Sequence, residues 1–143
     1  MSAAEYTVRD VMAGDVVTIS ETDTLHQAVD LMELKECRHL VVVDNDKKVA
    51  GIISDRDCRL AQYSPFVMRE RWQDETVLDH TLIGAIMTSH PRMVKPNTPL
   101  AQAAQLMLEH RISALVVEQE GELLGIVTSS DVLRAFIKLS AVD

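Results

Sequence analysis

Aromatic side chains make up only 3% of this chain of 143 residues, so any core must be aliphatic, built from Val, Leu, Ile, Ala and seven Met. Cysteine is nearly missing as well. Cys37 and Cys58 cannot form a disulfide framework, and a reducing cytoplasm is the expected compartment. No apolar run approaches the roughly 20 residues that a membrane helix needs, so no membrane association is expected. The opening Met1-Ser2-Ala3-Ala4-Glu5-Tyr6 shows no basic region followed by an apolar stretch, so no secretory signal is expected either. Positive charge is in deficit. A formal net charge of -8 repels nucleic acid phosphates and anionic membranes at long range, and any anionic ligand must be met by local positive charge. Gly-rich phosphate loops and nucleophile elbows are lacking too. The histidines at 26, 39, 80, 90 and 110 are scattered; Cys37 and His39 are two apart and Cys58 could approach, but nothing predicts the third and fourth ligands of a tetrahedral metal site. No catalytic residue and no metal site is expected, and the chain does not read as an enzyme.

What is present is enough apolar residue, 47%, to bury a real core in one compact domain or two small, closely packed ones. The chain also repeats itself, with a period of about 75 residues. With Val11-Met12 set against Ile86-Met87, Leu25 falls on Leu100, Gln27 on Gln102 and Ala28 on Ala103. Leu31-Met32 then falls on Leu106-Met107, and Leu40-Val41-Val42 on Leu115-Val116-Val117. The second copy loses one residue in a turn, after which Gly51-Ile52 meets Gly125-Ile126 and Asp57 meets Asp131.

Each copy carries the same local signals. Leu25, Ala28, Val29 and Met32 lie on one face of an amphipathic helix, as do Leu100, Ala103, Ala104 and Met107. Asp23 and Thr98 are the expected N-caps, with Pro99 at the first helical position. The β-branched runs 40–43 and 49–53 flank Asp44-Asn45-Asp46-Lys47-Lys48 and read as a hairpin; 115–117 and 123–127 flank Glu120-Gly121 in the same way. A second helix is expected near Asp57 and again near Asp131. Each unit is thus strand, helix, strand, strand, helix, an α/β (α+β) fold. The reading divides the chain into a first repeat with its lead-in (1–62), a connecting segment (63–82) and a second repeat (83–143). Ser64-Pro65 predicts a helix from Pro65 to about Gln73 within that surface connection.

Met12, Val16-Val17-Thr18-Ile19, Leu40-Val41-Val42-Val43 and Gly51-Ile52-Ile53-Ser54-Asp55-Arg56-Asp57 together resemble a CBS repeat. So do Ile86-Met87-Thr88, His110-Arg111-Ile112-Ser113-Ala114-Leu115-Val116-Val117 and Gly125-Ile126-Val127-Thr128-Ser129-Ser130-Asp131. The resemblance implies two pseudo-symmetric repeats packed as one module, with adenosine-containing ligands such as AMP, ADP, ATP or S-adenosylmethionine bound in clefts between them. It implies that one cleft joins Thr128, Ser130 and Asp131 to Val17, Cys37 and Arg38. The other would join Ser54, Arg56 and Asp57 to Arg92, Ile112 and Ser113. The aspartates would hold the ribose diol, and the hydroxyls and helix starts would face phosphate. A regulatory module is implied, commonly a homodimer acting on an effector protein, with no cofactor required beyond the regulatory ligand.

The residues alone also fit plainer roles. Asp57 and Asp131 suit helix caps, Ser54, Thr128 and Ser130 suit turns, and Arg56 and Arg38 suit surface ion pairs. Two departures from the family pattern bear on the clefts. Val41 and Val116 stand where a proline is usual, and Cys37-Arg38-His39 stands opposite Ile112-Ser113-Ala114. The two sites are therefore expected to differ, and a structural module with empty or arginine-filled clefts is the alternative.

Overall fold

A computed structural model describes residues 2–62 and 78–141, so the helix expected from Pro65 lies outside the described residues. In chain order, a 3-10 turn at Ala3–Glu5 is followed by α1 (Val8–Val11), β1 (Thr18–Ser20), α2 (Leu25–Lys35), β2 (His39–Val43), β3 (Val49–Ser54) and α3 (Asp55–Gln62). Then come α4 (Ile83–Ile86), β4 (Thr88–Ser89), β5 (Met93–Val94), α5 (Leu100–His110), β6 (Ala114–Gln119), β7 (Glu122–Thr128) and α6 (Ser129–Ser140).

The chain forms two compact units, which cut across the sequence copies. One is Val17–Pro91; the other joins Met1–Val16 to Arg92–Asp143. In the first unit the sheet order is β1-β2-β3-β4, with β1 parallel to β2 and the other pairs antiparallel. In the second it is β5-β6-β7, again with one parallel and one antiparallel pair. The hairpins follow from the β-branched runs. Leu40, Val41 and Val42 are each 1% exposed or less, as are Leu115, Val116 and Val117. Strands buried on both faces read as continuous apolar runs rather than alternations.

The helices bury the faces that periodicity marks. Leu25, Ala28 and Met32 of α2 pack with Ile19, Leu40, Val42 and Ile53. Leu100, Ala103 and Met107 of α5 pack with Val8, Leu115, Val117 and Val127. The caps sit one residue later than the sequence suggests. Thr24, not Asp23, caps α2, accepting the Gln27 N–H at 3.3 Å while Gln27 returns the bond to the Thr24 N–H at 2.8 Å. Asp23 instead accepts the Ser20 N–H at 3.0 Å and closes the preceding turn. Pro99 is the cap of α5 rather than its first residue, with its carbonyl accepting from Gln102 at 3.0 Å.

Each sheet also receives the lead-in segment of the other sequence copy. Thr88 pairs with Ile52 on β3, and at the matched place Ala13 bridges Ile126 on β7. Glycine makes room for both contacts. A Cβ on Gly51 would lie 2.6 Å from the Met87 sulfur and 2.7 Å from the Thr88 carbonyl oxygen. A Cβ on Gly125 would lie 2.6 Å from the Ala13 carbonyl oxygen.

Candidate functional site

The last strand of each hairpin ends in a hydroxyl residue, and a helix starts at once. Three residues after the hydroxyl comes the aspartate. This spacing builds a capping box, in which two backbone donors at the helix start are satisfied reciprocally. In the first repeat the Ser54 N–H donates to Asp57 Oδ2 at 2.8 Å and the Asp57 N–H donates to Ser54 Oγ at 3.1 Å. In the second, the Thr128 N–H donates to Asp131 Oδ2 at 2.8 Å and the Asp131 N–H donates to Thr128 Oγ1 at 3.4 Å. The cap role is thus real at both places. It uses Oδ2 and leaves Oδ1 for other partners.

The remaining expected residues gather at the same end of each sheet. In the unit Val17–Pro91, the Val17 carbonyl accepts the Val41 N–H at 3.1 Å, and the Arg38 carbonyl accepts the Asp55 N–H at 2.9 Å. In the other unit, the Arg92 carbonyl accepts the Val116 N–H at 3.0 Å, and the Ser113 carbonyl accepts the Ser129 N–H at 2.9 Å. The helices before β2 and β6 stop in matched left-handed residues, Glu36 at φ 53° and Arg111 at φ 54°. These turns deliver Cys37-Arg38 and Ile112-Ser113 to the sheet ends. Val17, Cys37, Arg38, Ser54, Arg56 and Asp57 therefore share one sheet end, and Arg92, Ile112, Ser113, Thr128, Ser130 and Asp131 share the other. The residues expected to meet in one cleft, Val17, Cys37 and Arg38 with Thr128, Ser130 and Asp131, thus belong to different units. So do Arg92, Ile112 and Ser113 and their expected partners Ser54, Arg56 and Asp57. Arg38, Arg56, Arg92, Ser113 and Ser130 are exposed, while both aspartates are half-buried.

The thiols are poor nucleophiles. Burial pushes the Cys58 pKa up to about 11, with Asp57 and Asp55 adding to the rise. Burial also raises that of Cys37, against the backbone hydrogen bond of His39 and the charge of Lys35. Among the described residues, no group of three or more His, Cys, Asp or Glu side chains could hold a metal ion. No helix among them is long and apolar enough to cross a membrane.

Sequence reasoning missed Arg134. Its Nη2 donates to Asp131 Oδ1 at 2.7 Å. The signal was available, since an acid and a base three residues apart on a helix face one another. Both residues line a hollow of about 170 Å³ together with Tyr6, Asp10 and Lys138. That volume is below the ~300–1,000 Å³ of small-molecule pockets.

The model of the CBS domain matches residues 8–64 and 83–138. This chain belongs to the CBS domain family. A CBS domain-containing protein of Dictyostelium discoideum is 35% identical over 92% of this chain and 92% of its own length. The solved structure of CBSX2 of Arabidopsis thaliana in complex with AMP is similar with a TM-score of 0.74 and 27% identity, covering 95% of this chain and 99% of that one. Inosine-5'-monophosphate dehydrogenase of Methanocaldococcus jannaschii is 31% identical over 87% of this chain but only 22% of the enzyme. The likeness to that enzyme is thus confined to its CBS region, and the mixed α/β fold with two repeats is that of CBS pairs.

Proposed function

We propose that this CBS pair is a regulatory module without catalysis of its own, binding an adenosine-containing ligand of the AMP, ADP, ATP or S-adenosylmethionine type. The carrying observation is the pair of matched hydroxyl and aspartate boxes. Each carboxylate is held in place through one oxygen by its own helix start, so it is oriented before any ligand arrives. The likeness to an AMP-bound CBS pair supports the same reading. We assign the ribose diol to Asp57 and Asp131 and the phosphate to Ser54, Arg56, Thr128, Ser130 and the helix starts. Val17, Cys37, Arg38, Arg92, Ile112 and Ser113 supply the adenine and phosphate contacts.

The ligand must enter against a formal charge of -8, so phosphate depends on local donors. Aspartate repels phosphate and contributes through the diol, with charge-assisted hydrogen bonds worth about 1.5–3 kcal/mol. The test is a thermal-shift panel of AMP, ADP, ATP, S-adenosylmethionine, NAD and cyclic dinucleotides, followed by calorimetry. A ligand at a hundredfold excess over its Kd adds about 2.7 kcal/mol, a rise of roughly 5–10 °C in Tm. The double variant Asp57→Ala, Asp131→Ala is expected to weaken binding on the order of tenfold or more. Arg38→Ala and Arg56→Ala should penalise AMP while sparing adenosine. A folded double variant with unchanged affinity refutes the residue assignment. No shift with any adenosine compound at millimolar concentration favours the structural reading instead.

We also propose a homodimer in the cytoplasm. Leu133, Phe136 and Ile137 leave α6 with large apolar side chains that are 61%, 65% and 65% exposed, more than a small monomer readily leaves in water. Light scattering that finds a single 15.9 kDa particle at micromolar concentration refutes it.

A further inference from the structure

The two aspartates carry the same cap but keep different company. A carboxylate offers about four acceptor directions, two on each oxygen. Among the described residues, Asp57 spends one of them, on the Ser54 N–H at 2.8 Å. Asp131 spends three. Its Oδ2 takes the Thr128 N–H at 2.8 Å and the Thr128 hydroxyl at 3.1 Å, and its Oδ1 takes Arg134 at 2.7 Å. A ribose diol donates two hydrogen bonds. Asp57 has room for both, whereas Asp131 must release a partner first.

The partner able to leave is Arg134. Its side chain is 68% exposed, against 11% for Asp131, so water can take over its hydrogen bonds at little cost. The hollow beside it gives the guanidinium room to swing. Asp10, which also lines the hollow, already accepts from the Thr7 N–H at 2.7 Å and the Thr7 hydroxyl at 3.1 Å, and Lys138 is a second cation there. In the first repeat the place of Arg134 is taken by Leu60, and the neighbouring Arg59 turns to Asp55 at 3.4 Å instead.

We propose that Arg134 is a positioning residue that competes with ligand: it occupies Oδ1 of Asp131 and makes Asp131 the weaker of the two ribose acceptors. This inference rests on the adenosine reading of the site. It predicts that an uncharged ligand binds at Asp131 more tightly when the ion pair is weakened, by mutation or by salt.

The experiment is calorimetric titration of adenosine into the full chain carrying Asp57→Ala, with Arg134 kept, changed to Gln or changed to Lys. Arg134→Gln is expected to bind adenosine about two- to fivefold tighter, the range that exposed ion pairs command. Arg134→Lys should fall back towards the parent, because its ammonium still competes. Raising salt from about 0.05 to 0.5 M should tighten adenosine binding to the Arg134 protein and leave Arg134→Gln unchanged, since screening acts on the ion pair and not on a neutral ligand. Unchanged or weaker binding by folded Arg134→Gln overturns the proposal. So does loss of all binding in Asp57→Ala alone, because Asp131 is then no acceptor, although the adenosine reading survives. If the unmutated chain binds no adenosine compound at all, that reading falls and the competition falls with it.

Discussion

Leu40 and Leu115 occupy matched places in the two sheets, and Ser54 and Thr128 end matched strands. Gly51 and Gly125 admit matched lead-ins, and Glu36 and Arg111 turn the chain in the same left-handed way. Beside these, Arg38 stands against Ser113, Arg56 against Ser130, and Leu60 against Arg134. The matched residues are those that close-packing and backbone hydrogen bonding constrain. The unmatched ones are exposed. The frame is thus present twice, while the outward groups around the two aspartates differ. The matched boxes at the sheet ends carry the proposed site twice, and the exposed groups around them are where the two sites differ.

The largest expected effect tests the shared frame. Leu40 and Leu115 are both fully buried. Each cut to alanine should cost about 2–5 kcal/mol, the transfer term plus the cavity left behind. Urea melts of Leu40→Ala and Leu115→Ala should give similar losses. A loss below about 1 kcal/mol for either one would show that its sheet relaxes where the other does not, and the two frames would not be equivalent.

A smaller effect tests the exchange of lead-ins. Alanine at Gly51 or Gly125 puts a methyl group against a backbone carbonyl oxygen, at 2.7 Å from Thr88 and 2.6 Å from Ala13 respectively. The strand or lead-in must shift, at a cost of about 1–3 kcal/mol. For Gly125→Ala the reciprocal bonds between Ala13 and Ile126, at 3.0 and 3.1 Å, should break first. Hydrogen exchange at those two amides should speed up more than at Leu115. Full protection of Ala13 in a variant of unchanged stability would mean that the contact is looser than the geometry shows.

The shared frame was legible because each part of it leaves a periodic mark. Helix faces repeat at i, i+3, i+4 and i+7, buried strands appear as β-branched runs, and the second copy repeats both. The family resemblance added the expected residues at the sheet ends. The exchange of Met1–Val16 and the segment around Thr88 left no such mark, because pairing between distant segments has no local period. Its trace was Gly51 matched with Gly125, two glycines inside strands where a backbone comes close. Arg134 was legible by spacing but had no counterpart in the first repeat, so the alignment of copies drew attention away from it. Asp23 and Thr24 are both good caps, and only the bonds made at the turn decide between them.

The smallest expected effect comes from a core position where the repeats differ chemically. Cys58 of α3 corresponds to Val132 of α6. The Cys58 thiol is buried, and its pKa is raised from 9.0 to about 11, first by desolvation and then by Asp57 and Asp55. Between those two values the unfolded chain has lost the proton and the folded chain still holds it. Stability is therefore fully present below about pH 9 and is lost as pH rises towards about 11. Every other ionisable group is common to the parent and to Cys58→Val. The variant, which gives the first repeat the residue of the second, should show a shallower fall in stability above pH 9. Below that pH it should show only the change in packing. Urea melts from neutral to alkaline pH measure the difference directly. An identical alkaline slope in Cys58→Val and the parent would mean that the thiol reaches water in the folded chain. The first repeat would then be more open beneath Asp57 than the second is beneath Asp131.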